Sequence, residues 1–383
     1  MTLEEALKQN RGVGPGFHML RHVLSLTILF HHCRVMIVGQ DANRTYEKGS
    51  LTSDLTYGQI ATELFRPGLF ALIGIFFALS GFLIAGSAVR NPNIRVFFAN
   101  RALRILPALS VEVTLSALIL GPAVTTMLLS DYFVHPDFIR YFGNIVGFVS
   151  FTLPGVFEQN PWPSVVNGNL WTLPPEFWCY FLMLFLMLSG LLANSRLLTL
   201  MIGVSLFVCI VFNAYDPLLF VVKENTTHFT NWYIVMLFFI GIAFYLNAKY
   251  VVLHPAVFLA CGAGYYFLMM TNHLGPLSGV FLTYCMIYVG MIHFPMFDKF
   301  VKSDLSYGIY LYGWPISQAV IFFTLPFLID HGNAVRVAII FPIVFIPTCA
   351  FAAASWSLIE KPALSLRKIL LKTPSSTVKP QSA

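Results

Sequence analysis

Ten stretches of this chain are too long and too apolar to be the core helices of a water-soluble domain. They run over 20–38, 67–88, 106–129, 171–192, 197–213, 230–247, 251–270, 275–294, 306–328 and 334–357. Each is close to the roughly 20 residues that a helix needs to cross the hydrocarbon of a bilayer. In that solvent every backbone N–H and C=O needs a partner within the protein, and a helix supplies one from its own segment. The expected fold is therefore all-α, a polytopic membrane protein of about ten transmembrane helices. Composition agrees: 57% of residues are hydrophobic and 10% are charged, against about 25% charged in a soluble domain. A weaker run, 139–153, is expected to be re-entrant or interfacial.

Ten spans place both termini on one side, and the basic residues indicate which. With the N-terminus inside, 16 of the 23 Lys and Arg fall in cytoplasmic segments, which predicts an N-in, C-in topology. The net charge of +6 then belongs to cytoplasmic loops and calls for no nucleic-acid partner. Residues 1–16 are polar, contain Glu4 and Glu5 and lack a cleavage-type signal, so they are expected to form a short amphipathic lead-in. The membrane domain is expected over 17–366. The Pro/Ser-rich segment 367–383 is expected to be a disordered cytoplasmic tail. Two outward loops, 39–66 and 130–170, are long, and long loops in compact domains are often functional. The six cysteines lie in or beside apolar runs without CxxC or Cys/His spacing, so neither a disulfide framework nor a metal site is indicated.

Ionisable residues inside the apolar runs are the candidates for chemistry. In "LRHVLSLTILFHHCRVM" (20–36), Arg21 alone costs about 2.5–3.5 kcal/mol on insertion scales. His32 lies eleven residues further on, about 20° from the same helix face and roughly 16 Å along the axis, whereas His31 is rotated away. An imidazole titrates near neutrality and can take a proton from a hydroxyl nucleophile; a histidine hydrogen-bonded to a neighbouring helix is the structural alternative. Arg101 and Arg104 in "RALRILP" are i, i+3 at an expected cytoplasmic helix start, and guanidinium forks match phosphates, although inward-facing positive charge alone accounts for them. The small residues of "GIFFALSGFLIAG", Ser80 and Gly81 among them, permit close helix packing or a slot for a thin acyl or pantetheine arm. Glu176 opens a helix after two prolines, where a carboxylate suits the helix dipole. Glu112, inside the third span, is expected to pair with an arginine. "DLSYGIYLYGWPI" and "WSLIEKPAL" frame the last two helices, with Glu360–Lys361–Pro362 read as a helix stop.

Taken together, these elements resemble the acyltransferase-3 family of integral membrane O-acyltransferases over about residues 16–366. The Arg-x10-His pattern appears as Arg21 and His32, and the other family elements as "FFALSGFL", "RALRILP", "NGNLWTLPPE", "LSYGIYLYGWP" and "LIEKP", in the family's order. The resemblance implies an enzyme that transfers an acyl group, commonly acetyl from acetyl-CoA, to a hydroxyl of an extracytoplasmic glycan such as an exopolysaccharide or lipopolysaccharide. It implies a bacterial cytoplasmic membrane and no permanently bound cofactor. It also makes His32 and Glu176 the catalytic candidates, and Arg21, Arg101, Arg104, Ser80 and Gly81 the acyl-CoA-binding ones. Three positions depart from the pattern. His18 stands where the family commonly has the aspartate partner of the helix-one arginine, Pro175 precedes Glu176 in place of an aromatic, and Ser357 replaces a histidine before "LIEKP". Two other classes share the same features: an exporter of glycan or lipid-linked precursors, since intramembrane charges also mark transport routes, and a non-catalytic partner in polysaccharide assembly.

Overall fold

A computed structural model describes residues 1–39, 57–216, 229–271 and 275–370. Residues 40–56 of the expected outer loop and 371–383 of the expected tail lie outside the described residues. Among those described, the structure is helical, with two isolated β-bridges, Thr2 to Val252 and Thr125 to Val156. Helix α1 (Leu3–Gln9) opens on a capping box, in which Thr2 Oγ1 accepts from Glu5 N and the Glu5 carboxylate accepts from Thr2 N. It is amphipathic, and its apolar face buries Leu3, Ala6 and Leu7 while Leu3 N donates to Val251 O.

Each of the ten apolar runs lies on a helix: α2 (Phe17–Val38), α3 (Tyr57–Arg90), α4 (Ile94–Leu115), α5 (Leu173–Leu188), α6 (Ser195–Tyr215), α7 (Asn231–Leu246), α8 (Pro255–Thr271), α9 (Ser278–Gly290), α10 (Ser306–Thr324) and α11 (Asn333–Ser355). Six helical segments among the described residues are long and apolar enough to cross a membrane: 64–90, 94–124, 168–188, 195–215, 306–328 and 333–366. Helices α7, α8 and α9 are apolar but shorter. The chain is an integral membrane protein.

Helix α7 is apolar on all sides and accordingly sits in the interior. It crosses α3 closely through two glycines. A Cβ at Gly81 would come within 1.9 Å of Phe238 O, and one at Gly241 within 2.1 Å of Ala78 O. Small residues let the two backbones touch where lipid offers no hydrophobic driving force of its own. By contrast α6 and α11 leave Phe207, Val204, Ile343 and Ile346 exposed, as lipid-facing helices do. Helix α10 packs between α2 and α11.

Three local details differ from the sequence expectation. Helix α4 begins at Ile94, where Asn93 Oδ1 accepts from Arg95 N and Val96 N, so Arg101 and Arg104 stand two turns inside it and Pro107 is carried within it. The LIEKP element does not stop its helix: a π turn at Trp356–Glu360 leads into a further helix, Lys361–Leu370. The run 139–153 forms the short helix Pro136–Tyr141 and a 3-10 turn at Phe142–Val146, with Ile139, Val146 and Phe148 exposed. That turn is closed by Asn144, which donates to Tyr141 O and Ser150 O and accepts from Ser150 N.

Candidate active site

Pro315 sits inside α10 and has no N–H, so the carbonyl of Leu311, four residues earlier, loses its helical donor. Asn167 Nδ2 fills that place at 3.0 Å and donates also to Glu112 Oε1 at 3.0 Å. Two residues on, Asn169 Nδ2 donates to Tyr310 O, and the Tyr310 hydroxyl donates to Asn169 O at 3.2 Å and lies 3.0 Å from Thr172 Oγ1. The NGNLW element is thus fastened to a proline-weakened turn of α10. Gly168 is required there, because a Cβ would come within 2.7 Å of the Trp314 ring.

Between this element, α3, α4 and the start of α10 lies a cavity of about 180 Å³. Its wall includes Arg21, Arg101, Arg104, Ser80, Glu176 and Asn169. Asp304, immediately before α10, joins two of the arginines: Arg21 Nη1 is 3.1 Å and Arg104 Nη2 2.8 Å from Asp304 Oδ2. Ser306 Oγ donates to Asp304 Oδ1 at 2.6 Å. Burial alone would raise the Asp304 carboxyl, but Arg21 and Arg104, with the Ser306 hydroxyl, outweigh it and hold the group well below the usual carboxylate range. The turn is fixed further by His22. Its Nε2 accepts from Leu305 N at 3.1 Å, which leaves Nδ1 to donate to His18 O at 2.9 Å.

Arg101 makes no ion pair among the described residues, and its buried Nε has no partner. Glu176 stands in the first turn of α5, on the cavity wall, and accepts from Tyr180 OH at 2.5 Å. Helix α5 thereby sets a carboxylate in the cavity that the arginines share.

The structure brings Arg21, Arg101, Arg104, Ser80 and Glu176 to one cavity; Gly81 and His32 are not on its wall. Gly81 occupies the α3–α7 crossing. His32 lies edge-on to Trp314, ring centroids 4.9 Å apart, and Trp314 in turn meets Trp162 at 6.1 Å. On α10 the cavity wall ends at Leu311, one helical turn before Trp314. One turn further along α10, Gln318 Nε2 donates to Trp162 O and Val165 O, and Asn160 Nδ2 donates to Gln318 Oε1, tying the 130–170 loop to α10.

Sequence reasoning missed Asp304. With His18 in place of the common aspartate, Arg21 lacks an acidic partner within α2, and the partner comes from a loop 283 positions later. The available signal was a lone carboxylate directly ahead of an apolar run, in "DLSYG", a position that needs a cation once it is buried. The arginine expected beside Glu112 is not found there. Its Oε1 accepts from Ser116 and Asn167, and its Oε2 is buried without a partner.

An acyltransferase domain family, acyltransferase-3, matches residues 15–357. The chain is 27% identical over 391 residues to nodulation protein 10 of Rhizobium leguminosarum bv. viciae, covering 95% of this chain and 97% of that protein. It is 27% identical over 262 residues to an O-acetyl transferase of Shigella phage Sf6, covering 64% of this chain and 73% of that protein. No solved structure matches.

Proposed function

Because this chain belongs to the acyltransferase-3 family and is an acyltransferase, we propose that it moves acetyl from acetyl-CoA onto a hydroxyl of an extracytoplasmic glycan, of the exopolysaccharide or lipopolysaccharide kind. The relative from Shigella phage Sf6 bears the name O-acetyl transferase, which supports an oxygen acceptor and an acetyl donor. In this reading the protein resides in a bacterial cytoplasmic membrane, crosses it about ten times over residues 17–366, and keeps both termini inside.

The observation that carries the reading is the unmatched cation of the cavity. Arg21 and Arg104 share one carboxylate, Asp304, whereas Arg101 has none within ion-pair distance among the described residues. Arg101 is half-buried, with Glu176 on the same cavity wall but outside ion-pair distance and its own Nε without a partner, so an anionic ligand entering there gains a charge-assisted contact. The phosphates of acyl-CoA supply such an anion, with Arg101 as their first contact and the Arg21–Asp304–Arg104 group as a rigid flank. Clefts that bury a whole drug-sized ligand occupy about 300–1,000 Å³, so a cavity of about 180 Å³ suits the thin pantetheine arm rather than the entire nucleotide. The arm runs past Ser80 toward His32. Glu176, held by Tyr180, faces the same arginines and sets the field into which the donor enters.

His32 acts at the far end. A ring nitrogen takes the proton of the acceptor hydroxyl as that oxygen attacks the thioester carbonyl; the C–S bond then breaks, and the departing thiolate recovers the proton. Trp314 packs against His32 one turn beyond the cavity wall, and in this reading the Leu311–Trp314 turn gives way for the thioester to arrive.

The test compares glycan esters by mass spectrometry in cells with and without the gene, together with transfer of labelled acetyl from acetyl-CoA in isolated membranes. Loss of one acetyl ester in the deletion strain and label appearing in glycan are expected. An unchanged ester profile and no transfer of label would overturn the proposal.

A further inference from the structure

Asn169 carries the one amide oxygen among the described residues that is buried, without a hydrogen-bond partner and on the cavity wall. The residue is 3% exposed. Its other polar atoms are committed: Nδ2 donates to Tyr310 O, the backbone N donates to Asn167 Oδ1, and the backbone O accepts from Tyr310 and Thr172. The Tyr310 carbonyl can only accept, so it fixes which end of the side-chain amide is nitrogen and leaves Oδ1 as the orphan. A buried acceptor without a donor is destabilising, and such groups in native proteins call for a specific explanation. Here the missing donor belongs to whatever fills the cavity.

The position of Asn169 narrows the choice. It is fastened to α10 at Tyr310, six residues after Asp304 at the arginine end and four before Trp314 at the histidine end. At the helical rise the four residues from the helix start at Ser306 to Tyr310, and the four from Tyr310 to Trp314, each span about 6 Å. A donor whose phosphates meet Arg101 and whose thioester reaches the Trp314–His32 layer lays its pantetheine arm across this level. That arm carries three donors, a pantoyl hydroxyl and one amide N–H on the phosphate side and a second amide N–H two carbons from the sulfur, and the last is the one at the level nearer the Trp314–His32 layer.

We propose that Asn169 is a donor-binding residue whose Oδ1 accepts the N–H of the pantetheine amide nearest the thioester. This rests on the acyl-CoA reading above and deepens it, making the enzyme selective for thioesters borne on an amide-containing arm over simple thioesters.

The experiment measures kcat/KM of the full-length protein in nanodiscs with acetyl-CoA and with an analogue whose cysteamine amide is replaced by an ester, so that N–H becomes O. One neutral hydrogen bond predicts a loss of roughly five- to tenfold for the analogue with the wild-type protein. With Asn169→Ala, acetyl-CoA falls by a similar factor and the two donors become equivalent. Equal wild-type rates with both donors overturn the proposal while leaving the acyl-CoA reading intact, and that comparison stands even if the alanine variant fails to fold. Discrimination undiminished in a folded Asn169→Ala also overturns it. Absence of turnover with any acyl-CoA overturns the donor reading and this inference together.

Discussion

At Arg21, α2 borders a cavity and meets charges from α4 and from the loop before α10; eleven residues later, at His32, it lies off that cavity's wall and meets the Trp314 ring. The first region is polar and cross-braced: two arginines share Asp304, Ser306 and Leu305 complete the turn, and a third arginine makes no ion pair among the described residues. The second is aromatic, with the 130–170 loop fastened by Gln318 and Asn160 and Trp314 packed between His32 and Trp162. The difference teaches that the arginine-lined half is cross-braced by its own charges around open space, whereas the half around His32 is held by aromatic packing and amide hydrogen bonds.

Substitutions at the two ends should separate the roles. His32→Ala is expected to lower kcat by about 100- to 10,000-fold, the range for loss of a general base, with donor KM little changed and His31→Ala tolerated. Near-normal transfer by His32→Ala at matched expression would dismiss the assignment of the far end as the chemical one. Asp304→Asn leaves Arg21 and Arg104 facing each other without their anion. Breaking a buried pair costs on the order of 3 kcal/mol, so both thermal stability in detergent and donor affinity should fall, and Arg104→Ala, which removes one of the two cations, should be milder. Arg101→Ala, with no ion pair to break, is expected to raise donor KM about tenfold through one lost charge-assisted contact of about 1.5 kcal/mol and to leave the melting temperature within a degree or two. A large fall in stability there would mean that Arg101 is structural.

The smallest expected effect concerns pH. The Asp304 carboxyl is held below its ordinary value of 3.8 in the folded protein. Its contribution to stability is therefore complete above that value and is lost only as pH falls through the still lower folded one. Donor KM should stay flat from about pH 5 to 8, a range in which an unperturbed carboxylate of pKa about 3.9 is also ionised. A donor KM that rises steeply as pH drops from 6 to 5 would show that Asp304 is not the group controlling the arginines, and would point to His22, which reaches the same turn.

What could be read from residues alone was whatever depends on chemical type and local spacing. Apolar runs of spanning length dictate helices, because hydrocarbon leaves the backbone no other partner, and all ten runs are helical. Spacing placed Arg21 and His32 on one stripe of α2, and Arg101 beside Arg104 on α4. Tertiary contact decided what those stripes face. It paired Arg21 with Asp304 across 283 residues, turned Gly81 into a helix crossing and Ser80 into a cavity wall, and set Trp314 against His32. Local pattern cannot supply these, since the identity of a buried neighbour is set by which helices pack together, and in a bilayer that choice rests on shape and a few polar contacts rather than on hydrophobicity.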